Sequence, residues 1–335
     1  MQRLDDQKYI RKFDKKNLTH EIIHMPQNIL WGYEDCKIRY SDKFEINREY
    51  DRVLIIAEKD DQFAAEIVQE AFHRSINLEI CYPDNPHYFS ENDLIVFMDY
   101  AGVDPFMDEL FYDVSDNMND LAIISNQFHE LDSKANMLQV DLKERDSELT
   151  LPYKFTALLK TLEIYKVIPS QAGVIKEVIA SLISRAGALA AHVNSSGNFG
   201  KISAAHLSGK LPFFIAENRN LEKLANSWQN LMIKRAQVTA FSGTSSELIK
   251  DGKLNIAIKD FDNIIPIFIK RFGEQKHYQK YSIALCETLS NQQKNFLEFY
   301  AEGNSLISEY FSLIYLGEMI SCYLAILNEQ DPADK

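Results

Sequence analysis

The turn Glu58-Lys59-Asp60-Asp61 sets four ionisable side chains between an apolar run, 53–57, and an amphipathic stretch, 62–72. A strand that turns directly into a helix brings the helix's free N–H groups to the carboxyl edge of a sheet, where anionic ligands bind. Turns that hold phosphate are ordinarily rich in glycine, because the backbone must approach the anion closely. Here the turn offers carboxylates, which only accept hydrogen bonds when ionised. Asp60 or Asp61 suits the N-cap of the helix that follows, and a carboxylate there fills the place of an incoming anion. The position is that of a phosphate cradle; the chemistry is not.

A second turn, Asp99-Tyr100-Ala101-Gly102-Val103-Asp104-Pro105, follows the apolar run 93–98. Gly102 gives open backbone, while Asp99 and Asp104 serve a loop and a helix start as readily as a ligand. Lys234 and Lys250 suit solvated helix surface as well as a pocket. His20 and His24 are four residues apart with no third ligand nearby, so no metal site is expected. No cofactor fingerprint occurs, and none is expected.

These turns need a scaffold, and the hydropathy pattern supplies one. Strands are expected at 53–57, 77–82, 93–98, 121–125 and 137–142, with helices between them. That order means βαβ units and a parallel sheet. Leu151-Pro152 opens a helix over 153–166 that reads as a hinge between halves. The second half repeats the plan. Helices are expected at 173–192, 199–207 and 220–236, and strands at 211–216, 238–241, 254–258 and 281–286. Near the amino terminus, 17–23 reads as helix and Met25-Pro26-Gln27 as a turn.

The 335 residues have room for two domains, placed at 1–152 and 153–335. A net charge of −13 counts against nucleic acid or an anionic membrane as the main partner. Four cysteines without a CxxC pair fit a reduced, cytoplasmic protein. The stretch 306–327 is long and apolar enough for a bilayer, yet it holds Glu309, Gly317 and Glu318, which suit a buried core helix better.

The segment Ser312-Leu313-Ile314-Tyr315-Leu316-Gly317-Glu318-Met319-Ile320-Ser321-Cys322-Tyr323-Leu324-Ala325, with Asp331-Pro332 beyond it, resembles the closing signature of the bifunctional phosphoglucose/phosphomannose isomerases. Those proteins are built from two sugar-isomerase (SIS) domains. Leu151-Pro152-Tyr153, Gly209-Lys210-Leu211-Pro212 and the stretch 225–241 extend the likeness over residues 18 to 332. The resemblance implies two three-layer α/β/α sandwiches, each with a parallel sheet. It also implies a homodimer and a sugar-phosphate-like ligand.

The family's reaction interconverts aldose and ketose 6-phosphates, which takes a phosphate cradle, a base and a ring-opening group. The family's glycine-rich first turn falls on Glu58-Lys59-Asp60-Asp61. Its Ser/Thr-rich second cradle falls on 99–105, where Tyr100 and Gly102 persist. Its arginine falls on Glu148, with Arg145 the nearest substitute. Its glutamate base falls on Lys234 and its histidine on Lys250. A lysine in place of a carboxylate removes a proton acceptor, since an ordinary lysine is protonated at neutral pH. The expectation is a degenerate member, a pseudoenzyme that binds a ligand or partner. The alternative is an active aldose–ketose isomerase with relocated groups.

Overall fold

The computed structural model describes residues 2–46, 49–84, 88–98, 105–116, 119–127, 136–142, 149–218, 221–250, 263–272 and 276–333. The chain packs as two compact units, one of residues 27–176 and one of residues 1–26 with 177–335.

In the 27–176 unit a six-stranded sheet forms from β1 (Lys37–Tyr40), β2 (Arg52–Ala57), β3 (Leu78–Cys81), β4 (Asp93–Met98), β5 (Asp120–Ser125) and β6 (Met137–Asp141), in the order β1-β6-β5-β4-β2-β3. The runs Val-Leu-Ile-Ile-Ala, Leu-Ile-Val-Phe-Met and Leu-Ala-Ile-Ile become the central strands β2, β4 and β5. They carry apolar side chains to both faces, as strands covered by helices on two sides require. All neighbours run parallel except the short edge strand β1, which pairs antiparallel with β6. Leu54, Ile56, Ile95, Phe97, Leu121 and Ile123 meet Met107 and Val114 of the helix Pro105–Asp116 in one core. The helix Leu151–Ile164 packs on the helix Lys59–Phe72 inside this unit, so it is a core layer here and not a hinge.

The other unit holds a four-stranded parallel sheet of β7 (Leu211–Ala216), β8 (Phe241–Thr244), β9 (Ile264–Lys270) and β10 (Leu297–Tyr300), in the order β10-β9-β7-β8. Residues 281–286, expected as a strand, lie in the helix Lys276–Asn291. Leu285 and Leu289 are buried while Ile283 is exposed, a helical spacing that a six-residue apolar run could not reveal. The strand expected at 238–241 begins only at Phe241. The expected strand 254–258 lies outside the described residues. Met25-Pro26-Gln27 opens the helix Met25–Leu30, where a proline in the first turn costs no hydrogen bond.

The closing helix, Leu306–Leu327, is long and apolar enough to cross a membrane, yet 94% of its most apolar window is buried. It is the spine of its unit. A methyl group on Gly317 would stand 2.6 Å from the Trp228 indole, so the ring fits only against glycine. One residue on, Glu318 pairs with Arg235.

Candidate functional site

In the six-stranded sheet β2 is flanked by β3 and β4, and the chain visits one side before the other. The crevice at the carboxyl ends of β2 and β4 is therefore a topological switch point, where open α/β sheets bind ligands. β2 leaves the sheet at Ala57, and Glu58 stays extended as the N-cap of the helix Lys59–Phe72 without a side-chain capping bond. The cap role read for Asp60 or Asp61 is corrected on that point. The N–H groups of Asp61 and Gln62 both donate to the Glu58 carbonyl, and Gln62 Nε2 donates to the Ala57 carbonyl at 3.0 Å.

Asp61 is only 6% exposed, and its carboxylate forms an ion pair with the Lys154 ammonium, itself 7% exposed. Lys154 comes from the helix Leu151–Ile164, whose other buried residues include Tyr153, Phe155, Leu158 and Leu159. The helix N-terminus thus faces an internal carboxylate that is already neutralised by an internal cation. An incoming phosphate would have to displace it.

The other residues singled out from sequence are not gathered by the described part of the chain. Asp99, Tyr100, Gly102, Asp104, Arg145 and Glu148 lie outside the described residues, as do the side chains of Lys59 and Asp60. Lys234 is exposed in the last turn of the helix Glu222–Lys234. Lys250 is exposed at the end of the helix Ser245–Lys250, its ammonium 5.8 Å from the Tyr281 ring centroid. Next to Lys234, Arg235 turns inward to Glu318 and lies 3.8 Å from Cys322 Sγ. Burial holds the Glu318 carboxyl above its ordinary range even with Arg235 opposing it. The His20 and His24 rings meet each other at 3.2 Å, and among the described residues no cluster of three or more metal-ligating side chains occurs.

The four-stranded sheet has its own switch point, between β7 and β9. Glu217 and Asn218 leave β7 there, both buried. The Glu217 N–H donates to the Ile269 carbonyl, and the Arg271 N–H donates back to Glu217 Oε2 at 3.4 Å. Arg271 forms an ion pair with Glu309, and Lys270 with Glu298. Burial favours the neutral form of Lys270, but its hydrogen bond to Glu298 and the nearby Cys286, Glu298 and Tyr300 outweigh it and raise its pKa. Burial raises the Cys286 thiol to about 11. Phe272, 65% exposed, stacks on Tyr300 with centroids 4.6 Å apart.

Sequence reasoning assigns none of these second-sheet residues to a site. β9 and β10 escape it as strands, and Pro266 inside β9 disguises that one; the proline lies outside the four residues paired with β10. Lys154 has one available signal, a lysine set between the aromatic Tyr153 and Phe155 on a largely apolar helix.

Residues 198–335 match the family model described as the bacterial phospho-glucose isomerase C-terminal SIS domain. The bifunctional phosphoglucose/phosphomannose isomerase of Caldicellulosiruptor bescii is 25% identical over 186 residues, 54% of this chain and 54% of that protein, so the match spans about half the relative's length. A glucose-6-phosphate isomerase like protein from Thermus thermophilus superposes with a TM-score of 0.64 at 15% identity, covering 98% of this chain and 94% of that one. The C-terminal domain of glucosamine-fructose-6-phosphate aminotransferase from Francisella tularensis superposes with a TM-score of 0.67 at 14% identity, covering 95% and 98%. The two parallel-dominated sheets with flanking helices match the fold of tandem SIS domains.

Proposed function

We propose that this chain, a distant homologue of bifunctional phosphoglucose/phosphomannose isomerase with an SIS domain at its carboxyl end, binds a sugar or sugar-phosphate ligand without isomerising hexose 6-phosphates. The observation that carries the reading is the Asp61–Lys154 ion pair at the first switch point. A phosphate dianion entering there would have to break that pair, and a buried carboxylate left without its cation costs about 3–5 kcal/mol. A helix N-terminus returns only about 1 kcal/mol.

The base position supports the same reading. Proton transfer between C1 and C2 takes a poised acceptor within hydrogen-bond reach of the substrate. Lys234 and Lys250, where the family resemblance puts the glutamate and histidine, are exposed cationic side chains on helix ends. A homodimer belongs to this reading as well, with an interface above about 1,000 Å²; light scattering at micromolar concentration checks it, and a monomer counts against it.

The deciding experiment is a coupled assay in which glucose 6-phosphate formed from fructose 6-phosphate is oxidised by a dehydrogenase and read as NADPH. No rate above the enzyme-free blank is expected. Sustained turnover by the unaltered protein would overturn the proposal in favour of an active isomerase.

A further inference from the structure

We infer that the carboxyl edge of the second sheet is a sugar-ring site, with the Phe272 face as platform and Asn218 and Glu217 as partners for ring hydroxyls. This rests on the sugar-ligand reading above and gives it an address that does not involve the Asp61 turn.

Four observations converge there. The first is position, because β7 and β9 diverge in chain order at this edge, as ligand-binding crevices of open α/β sheets require. The second is an orphaned donor. Asn218 is 6% exposed, and its Oδ1 accepts from the Leu221 N–H at 3.1 Å, which fixes the amide's orientation. Its Nδ2 is then left buried and without a partner among the described residues. A helix cap explains the oxygen and leaves the nitrogen unexplained, and a buried unsatisfied donor calls for a missing acceptor.

The third observation is the Glu217 carboxylate, buried one residue before Asn218 and held by the Arg271 N–H. An amide donor and a carboxylate acceptor on successive residues suit sugar hydroxyls, each of which both accepts and donates. The fourth is the Phe272 ring, exposed, one residue beyond Arg271 and stiffened by stacking on Tyr300. Binding sites combine an apolar aromatic face with a few fixed polar groups in this way.

The charges select the ligand. Arg271 and Lys270 are both engaged by carboxylates, Glu309 and Glu298. The edge therefore reads hydroxyls, and a phosphate group adds little to affinity.

Calorimetry on the full chain with fructose, glucose, fructose 6-phosphate, glucose 6-phosphate and inorganic phosphate tests this. Saturable binding is expected for at least one sugar, with or without its phosphate, and none for inorganic phosphate. Asn218→Asp keeps the oxygen that caps Leu221 and removes the donor but buries a carboxylate next to Glu217 in sequence, so circular dichroism checks the fold while affinity falls about tenfold. Phe272→Ala, at an exposed position, should lower affinity by a similar factor. Absence of binding by every sugar, or affinity unchanged in both variants, overturns the site; so does binding that inorganic phosphate reproduces. Isomerase turnover in the unaltered chain, with sugar binding still lost in both variants, would overturn the proposed function and leave this site standing.

Discussion

The two sheets reverse chain order in the same manner and so place a crevice at the carboxyl ends of β2 and β4 and another at β7 and β9. The first is closed from within. Asp61 and Lys154 are both nearly buried and satisfy each other at the helix N-terminus. The second has its charges paired, yet it keeps a buried amide donor without a described partner and an exposed aromatic face. Topology fixes where a ligand can sit, and the side chains at that place decide whether it can enter.

The largest expected effect tests whether the first crevice is sealed by its ion pair. Lys154→Met leaves Asp61 charged and buried, and should cost about 3–5 kcal/mol in urea unfolding. Adding Asp61→Leu should return most of that loss, since two apolar side chains replace a buried pair at little net cost. A silent Lys154→Met would mean that the crevice is wetter than its partner pair implies, and the contrast between the crevices would fail. Glu309→Gln weakens the corresponding pair of the second sheet, whose side chains are 19% and 12% exposed. Its expected cost is smaller, about 1–3 kcal/mol by the same measurement. Asp61→Ser would then sharpen the contrast. It frees Lys154 and offers a hydroxyl donor, so inorganic phosphate binding, absent in the unaltered chain, should become detectable by calorimetry, while turnover stays absent.

The first sheet is legible because its strands are uninterrupted apolar runs flanked by charges, and β2, β4 and β5 lie where those runs are. Its edge strand Lys37–Tyr40 is not, since Lys-Ile-Arg-Tyr carries no buried face to betray it. The second sheet is half legible. β7 shows the same apolar signal, whereas Pro266 masks β9 and the four residues of β10 are too few to show alternation. The helix at 276–291 passes for a strand because Tyr281-Ser282-Ile283-Ala284-Leu285-Cys286 is apolar at either period. At the first crevice the acidic turn is visible in sequence, but its counterion is not. Lys154 lies 93 positions after Asp61 in the numbering, and only the packing of one helix on another brings the two together. The second crevice depends on groups from three strands and two helices, a convergence that no local pattern announces.

The smallest expected effect concerns one thiol in each unit. Burial raises both Cys81 and Cys286 above the ordinary cysteine value, and each has a carboxylate opposing a nearby cation, Glu79 against Arg52 and Glu298 against Lys270. Lys270 Nζ stands 3.6 Å from Cys286 Sγ, so Glu298 masks a cation that would otherwise favour the thiolate. With the Cys286 pKa at about 11, alkylation by iodoacetamide should be slow at pH 8 and climb as pH approaches that value, because the thiolate is the nucleophile. Glu298→Gln removes the charge that raises the thiol and releases Lys270 toward it. Both changes lower the thiol pKa, so the thiolate fraction at pH 8 grows and labelling should accelerate several-fold, roughly tenfold for each pKa unit lost. Cys81, read by mass spectrometry in the same samples, should keep its rate. Equal acceleration of both thiols would mean that the substitution loosened the whole chain. An unchanged Cys286 rate would mean that Glu298 does not govern the electrostatics of this edge, and the picture of its cations held occupied by carboxylates would fall.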